Sequence, residues 1–169
     1  MKKGCEGGLA DACADYGLAL DVVALHNDAD AMLARACDGS SAKGCTELAR
    51  RVRESDPERA LQLLTRGCQA GSADGCLRLG LEVMWRRGAG ADEAAAKAFR
   101  AACDKGERRG CDLVGARQVR PELTLRCLDG DERACREVDR DADRDAPLLR
   151  RRVDPPEPYP RLPTPFSFL

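Results

Sequence analysis

The sequence predicts an all-α protein, a solenoid of antiparallel helix pairs with one disulfide in each pair. Three observations carry this reading. The ten cysteines form five pairs, Cys5/Cys13, Cys37/Cys45, Cys68/Cys76, Cys103/Cys111 and Cys127/Cys135, and every pair is eight positions apart. First cysteines follow one another by 32, 31, 35 and 24 residues (5, 37, 68, 103, 127), a period that marks a helical repeat array. Other positions recur in the same frame. Gly8, Ser40, Gly71, Gly106 and Gly130 stand three after the first cysteine. Ala12, Gly44, Gly75, Gly110 and Ala134 stand just before the second, and Tyr16, Leu48, Leu79, Val114 and Val138 three after it. Leu33, Leu64, Phe99 and Leu123 lie four before the first cysteine, and Ala29, Ala60 and Ala95 eight before.

The spacing has a geometric meaning. Residues eight apart on one continuous helix are separated by ~12 Å, whereas a disulfide needs Cα atoms ~4.4–6.8 Å apart. The chain must therefore reverse between the two cysteines. A glycine three residues past the first cysteine is suited to the left-handed residue that ends a helix. The small residue before the second lets the returning helix start close by. Each unit is thus a helix, a tight turn and an antiparallel helix, stapled across the turn, and the step of eight selects local pairing of all ten cysteines.

The elements follow in order. The helices after the second cysteines are expected at about 10–20, 42–54, 73–87, 108–118 and 132–141. Among the helices before the first cysteines, Asp56 to Gln69 opens with Asp56 as N-cap and Pro57 at the first helical position. Its apolar residues Ala60, Leu63, Leu64 and Cys68 fall at helical spacing, as do Ala95, Ala98, Phe99 and Ala102 in Ala91 to Asp104. The short step after Cys103 leaves only Pro121 to Leu128 for the next helix, so the fourth unit is truncated and is expected to pack irregularly. No segment alternates over six or more residues, so no strand is expected. The repeat domain spans 1–145 and a tail spans 146–169, which holds seven of the nine prolines and three of the six aromatics. Pro155-Pro156-Glu157-Pro158-Tyr159-Pro160 has polyproline character. The tail is either a disordered extension or a docking segment that uses Phe166, Phe168 and Leu169.

Several chemistries are excluded or weakened. Net charge is −1, from 28 basic and 29 acidic residues, which excludes a general polyanion binder, so no nucleic acid is expected. The single histidine, His26, rules out a multi-histidine metal site within one chain. There is no C-x-x-C motif, and no metal or cofactor is expected. No apolar run approaches the ~18–20 residues of a membrane span. Gly88-Ala89-Gly90 follows no strand and lacks a third glycine, so it is not a dinucleotide loop. Ser40-Ser41-Ala42-Lys43 matches the S-x-x-K nucleophile motif, but S-D-N and K-T-G are absent, and the segment is the turn between Cys37 and Cys45. No catalytic residue is assigned.

The frame C-x2-G-x3-[AG]-C-x2-[LYV]-[GA] resembles the Sel-one-like repeat, related to tetratricopeptide repeats, in the disulfide-containing version of the Helicobacter cysteine-rich proteins. The resemblance covers roughly residues 3–142 and is best at Cys68 to Gly80 and Cys103 to Gly115. It implies a right-handed superhelix that binds other proteins, with the helices after the second cysteines lining the concave face. Candidate binding residues there are Glu47, Arg51, Arg78, Glu82 and Arg86. Trp85, the only tryptophan, either packs against the next unit or anchors a partner.

The function expected is a non-enzymatic, monomeric scaffold that binds an unknown protein or peptide. Some cysteine-rich members are described as penicillin-binding or β-lactamase-like, which makes a hydrolase the first alternative; an immunity or chaperone-like inhibitor is the second. Disulfides point to the periplasm or the cell exterior, against the alternative of a reduced cytoplasmic protein. The first residues, MKKGCEGGLADAC, contain no signal-peptide apolar region, and only four residues precede Cys5. The expectation is that an upstream helix, and with it a signal sequence, is missing from this reading frame.

Overall fold

The computed structural model describes residues 1–86, 91–114 and 119–149. Among them there are ten helices and no strand: α1 (Lys2–Glu6), α2 (Ala10–Val22), α3 (His26–Asp38), α4 (Ala42–Val52), α5 (Pro57–Gln69), α6 (Ala73–Arg86), α7 (Ala91–Asp104), α8 (Arg108–Leu113), α9 (Pro121–Leu128) and α10 (Glu132–Leu149). The all-α, solenoid-like arrangement is as expected. Four bounds differ: α2 continues to Val22 rather than 20, α4 stops at Val52 rather than 54, α8 is described only to Leu113, and α10 runs beyond 141 to Leu149. Residues Gly88–Gly90 and the Pro-rich segment from Pro155 onward lie outside the described residues.

All five disulfides form in sequence order, with Cα atoms 4.4–4.7 Å apart. The turn beneath each is the same. Gly8, Gly71, Gly106 and Gly130 adopt φ between 88° and 109°, and Ser40 takes the fifth copy of this left-handed position at φ 66°. A Cβ there meets the following carbonyl and costs about 1 kcal/mol. Ser40→Gly should therefore stabilise the protein by roughly that amount, raising Tm by about 2–4 °C. A calorimetric scan checks this, and a fall in Tm would mean that the Ser40 side chain contributes more than the backbone strain removes.

A second local signal recurs four residues before the second cysteine in four of the five units. Ser41 and Ser72 accept from the backbone N–H of Gly44 and Gly75 as helix N-caps. Glu107 accepts from Arg109, and Asp131 from Arg133 and Ala134. Leu9 in the first unit has no such side-chain cap.

Packing between units explains the frame. Ala29, Ala60 and Ala95, and with them Leu33, Leu64 and Phe99, are all buried. Each first helix rests on the second helix before it, α3 on α2, α5 on α4 and α7 on α6. The seat is a small residue four past the second cysteine. A Cβ on Gly17 would lie 3.0 Å from Leu33 Cγ, and one on Gly80 would penetrate the Phe99 ring. Ala49 shares a core cluster with Leu64. Gly44 and Gly110 likewise let second helices start against Ala36 and Ala102.

The fourth unit departs from this pattern, as the short step predicts. α9 lies on α6, three elements back, rather than repeating the earlier packing on α8. A different face turns inward as a result: Leu125 is buried, while Leu123, the residue in frame with Leu33 and Phe99, is only half-buried. Leu125 joins Leu77, Leu81 and Phe99 in one core cluster, so α6 supports the end of the array as well as its middle.

Candidate interaction surface

The second helices α2, α4 and α6 touch one another along one side of the stack. Their facing residues form a ladder of charges. Asp21 stands eight past Cys13 and meets Arg51, six past Cys45; Arg53 stands eight past Cys45 and meets Glu82, six past Cys76. The same two frame positions pair at both junctions with the signs exchanged.

At the first junction Arg51 also pairs with Asp30 of α3 and reaches the His26 carbonyl at 3.4 Å. Asp21 contacts His26 Nδ1 at 2.8 Å. The hydrogen bonds from His26 and Arg51 hold the Asp21 carboxyl below the ordinary carboxylate range. A lowered carboxylate pKa means that the unfolded chain binds more protons. Its stabilisation is therefore complete above the usual range, about pH 4, and is lost as pH falls through the lowered folded value. The Tm gap between the wild type and Asp21→Asn should narrow steadily below about pH 4. A gap that stays constant down to pH 2 would show that Asp21 acts through packing.

The second junction is more buried. Glu82 is 2% exposed, and its Oε1 faces Arg53 Nη1 at 3.6 Å. Burial pushes the Glu82 carboxyl above the usual range, opposed by the charges of Arg53 and Arg86. Arg86 reaches back to Glu58 at the start of α5. Arg78 is buried too: it donates to Asp74 at 2.8 Å, to Asp129 at 2.7 Å and to the Leu128 carbonyl at 3.1 Å. Its guanidinium thereby ties the end of α9 to α6.

Of the residues expected to line a binding face, then, Arg51, Arg78, Glu82 and Arg86 are brought together on the second helices but are occupied in pairs within the chain. Glu47, on α4, pairs with Arg50 at 3.2 Å and stays partly open. Trp85 differs. It is not packed away against the next unit: 47% of its surface is exposed. The guanidinium of Arg53 lies 5.9 Å from its ring centroid, within cation–π range. Arg53 was not singled out from sequence as a binding residue, although its place eight past Cys45, in frame with Asp21 eight past Cys13, carries the signal. A second exposed apolar group, Val22, Val23 and Leu25, sits at the turn between α2 and α3.

The S-x-x-K segment is accounted for structurally. Ser40 is the turn residue; Ser41 caps α4 and donates to Asp11 at 2.6 Å; Lys43 pairs with Asp15 at 2.7 Å. Among the described residues, no group of three or more metal-ligating side chains converges, and no helix is long and apolar enough to cross a membrane.

No protein-family model matches the chain, and no curated protein is significantly similar to it. Fold and surface together define a class: an all-α protein of stacked helix pairs, each pair joined by a disulfide across its turn. Five such bridges are the mark of an oxidising environment.

Proposed function

We propose that the protein is a non-enzymatic, monomeric scaffold of the Sel-one-like type that binds a protein or peptide on its second-helix side, in the periplasm or outside the cell. The observation that carries this reading is Trp85. It is an amphipathic ring left half open on a face whose charged neighbours are already paired, and it is steadied by a stacked arginine. Tryptophan and arginine dominate the energetics of protein interfaces, and a pre-positioned ring loses little entropy on binding. The five bridges support the compartment, and the repeated cysteine frame supports the family.

The test uses the oxidised full chain as bait in a cell-envelope extract, with Trp85→Ala alongside. A partner held by the wild type should bind the variant about thirtyfold more weakly, the ~2 kcal/mol of a hot-spot side chain. Equal retention by both would remove Trp85 from the interface and this reading with it. Nitrocefin turnover that disappears with Ser40→Ala would overturn the non-enzymatic assignment.

A further inference from the structure

The five staples are chemically identical but differ in shelter. Both cysteines are buried in Cys5–Cys13 and Cys37–Cys45, and Cys76 is fully buried in Cys68–Cys76. Cys127 and Cys135 are half-buried. Of all ten, Cys111 alone is exposed. The cause is the irregular fourth unit. In an earlier unit the next turn covers the second cysteine's helix: Thr46, beside Cys45, lies 3.0 Å from Ser72 Oγ, and Gly67 and Gly75 are pressed against the same threonine. α9 and its turn lie on α6, so among the described residues no corresponding turn is laid over Cys111. α8 packs on α7 and, among the described residues, makes no comparable contact with α6 or α9.

We propose that Cys103–Cys111 is the redox-sensitive site of the protein, opened by dithiol reductants while the other four bridges stay closed. A reductant thiolate attacks the Sγ of the exposed residue Cys111. The Cys103–Cys111 bond breaks, and its electron pair leaves on Cys103 Sγ, which takes a proton from water. The second thiol of the reductant then attacks the mixed disulfide and releases the Cys111 thiol. The reductant departs as its own disulfide, so two electrons and two protons have moved to the protein. α8 has six residues, too few to persist without its anchor. Once it is free, Gly110 lifts from the Ala102 methyl, now 0% exposed, and from the Phe99 carbonyl, and this part of α7 opens to solvent while the Phe99 ring stays on Gly80 of α6. Reduction thus switches a surface without dismantling the array.

The experiment is limited reduction of the oxidised full chain with dithiothreitol, acid quenching, alkylation and peptide mapping. Cys103 and Cys111 should be labelled first, about tenfold or more faster than each of the other four pairs, because local opening requires less free energy than global unfolding. Hydrogen exchange of the singly reduced species should lose protection in 105–113 only. The double variant Cys103→Ser/Cys111→Ser, with no reductant and four bridges intact, should reproduce that loss. Simultaneous labelling of all pairs, earlier labelling of another pair, or full protection of α8 in the double variant would each overturn the proposal.

Discussion

Complete reduction of the five disulfides in excess reductant is expected to abolish the cooperative thermal transition of the repeat domain at neutral pH. Each bridge closes a loop of about nine residues, and the chain-entropy treatment assigns such a loop roughly 2–3 kcal/mol. Five bridges together approach the whole ~5–15 kcal/mol by which an ordinary domain is stable. The core is not built to compensate. Its buried positions are mostly alanine, leucine and cysteine, with Phe99 the one large ring among them. A repeat stack also gains stability only from neighbour to neighbour, so it has no central core to fall back on. Circular dichroism with and without reductant decides the matter. A reduced chain that melts within a few degrees of the oxidised one would show that apolar packing alone holds the stack, and that the cysteines contribute as small buried side chains.

The parts of this architecture readable in the sequence are those set by local geometry. A step of eight between cysteines demands a reversal, and a reversal demands a left-handed residue; the position was legible even at Ser40, where the residue type argues against it. The small residues at Gly17 and Gly80 are legible in the same way, because the frame aligns them with Leu33 and Phe99. The caps at Ser41, Ser72, Glu107 and Asp131 were available in the same register but emerge only when acceptors, rather than apolar residues, are aligned. The charge ladder is harder. Asp21/Arg51 and Arg53/Glu82 obey one positional rule with opposite polarity, so composition at either position taken alone carries no pattern.

What the sequence did not contain was the destination of α9. A step of 24 announces a shortened unit, but where the shortened unit goes depends on which surface is free to receive it. That surface is α6, and its occupation by α9 is why Arg78, read as a side chain on an open face, is buried, and why Leu125 replaces Leu123 as the core leucine. The same event leaves Cys111 in the open. A single non-local choice thus decides the burial of a charge, the register of a helix and the accessibility of a disulfide.

Arg78 is where that choice can be tested. The guanidinium joins Asp74 of its own helix to Asp129 and the Leu128 carbonyl, some fifty residues away in sequence. Breaking a fully buried ion pair costs about 3–5 kcal/mol. Asp129 is 25% exposed and Asp74 43%, so both carboxylates retain access to water once the arginine is gone. Arg78→Ala should therefore cost less, about 2–3 kcal/mol, and the loss should be local because units couple only to their neighbours. Hydrogen exchange should show α9 and the start of α10 losing protection while α1 to α5 keep theirs. Arg78→Lys should fall between the two: an ammonium can hold one carboxylate but cannot span Asp74, Asp129 and a carbonyl with a planar fork. If α9 remains protected in Arg78→Ala, the apolar seat of Leu125 and Leu128 on α6 is sufficient by itself. The arginine would then be a consequence of the docking rather than its cause.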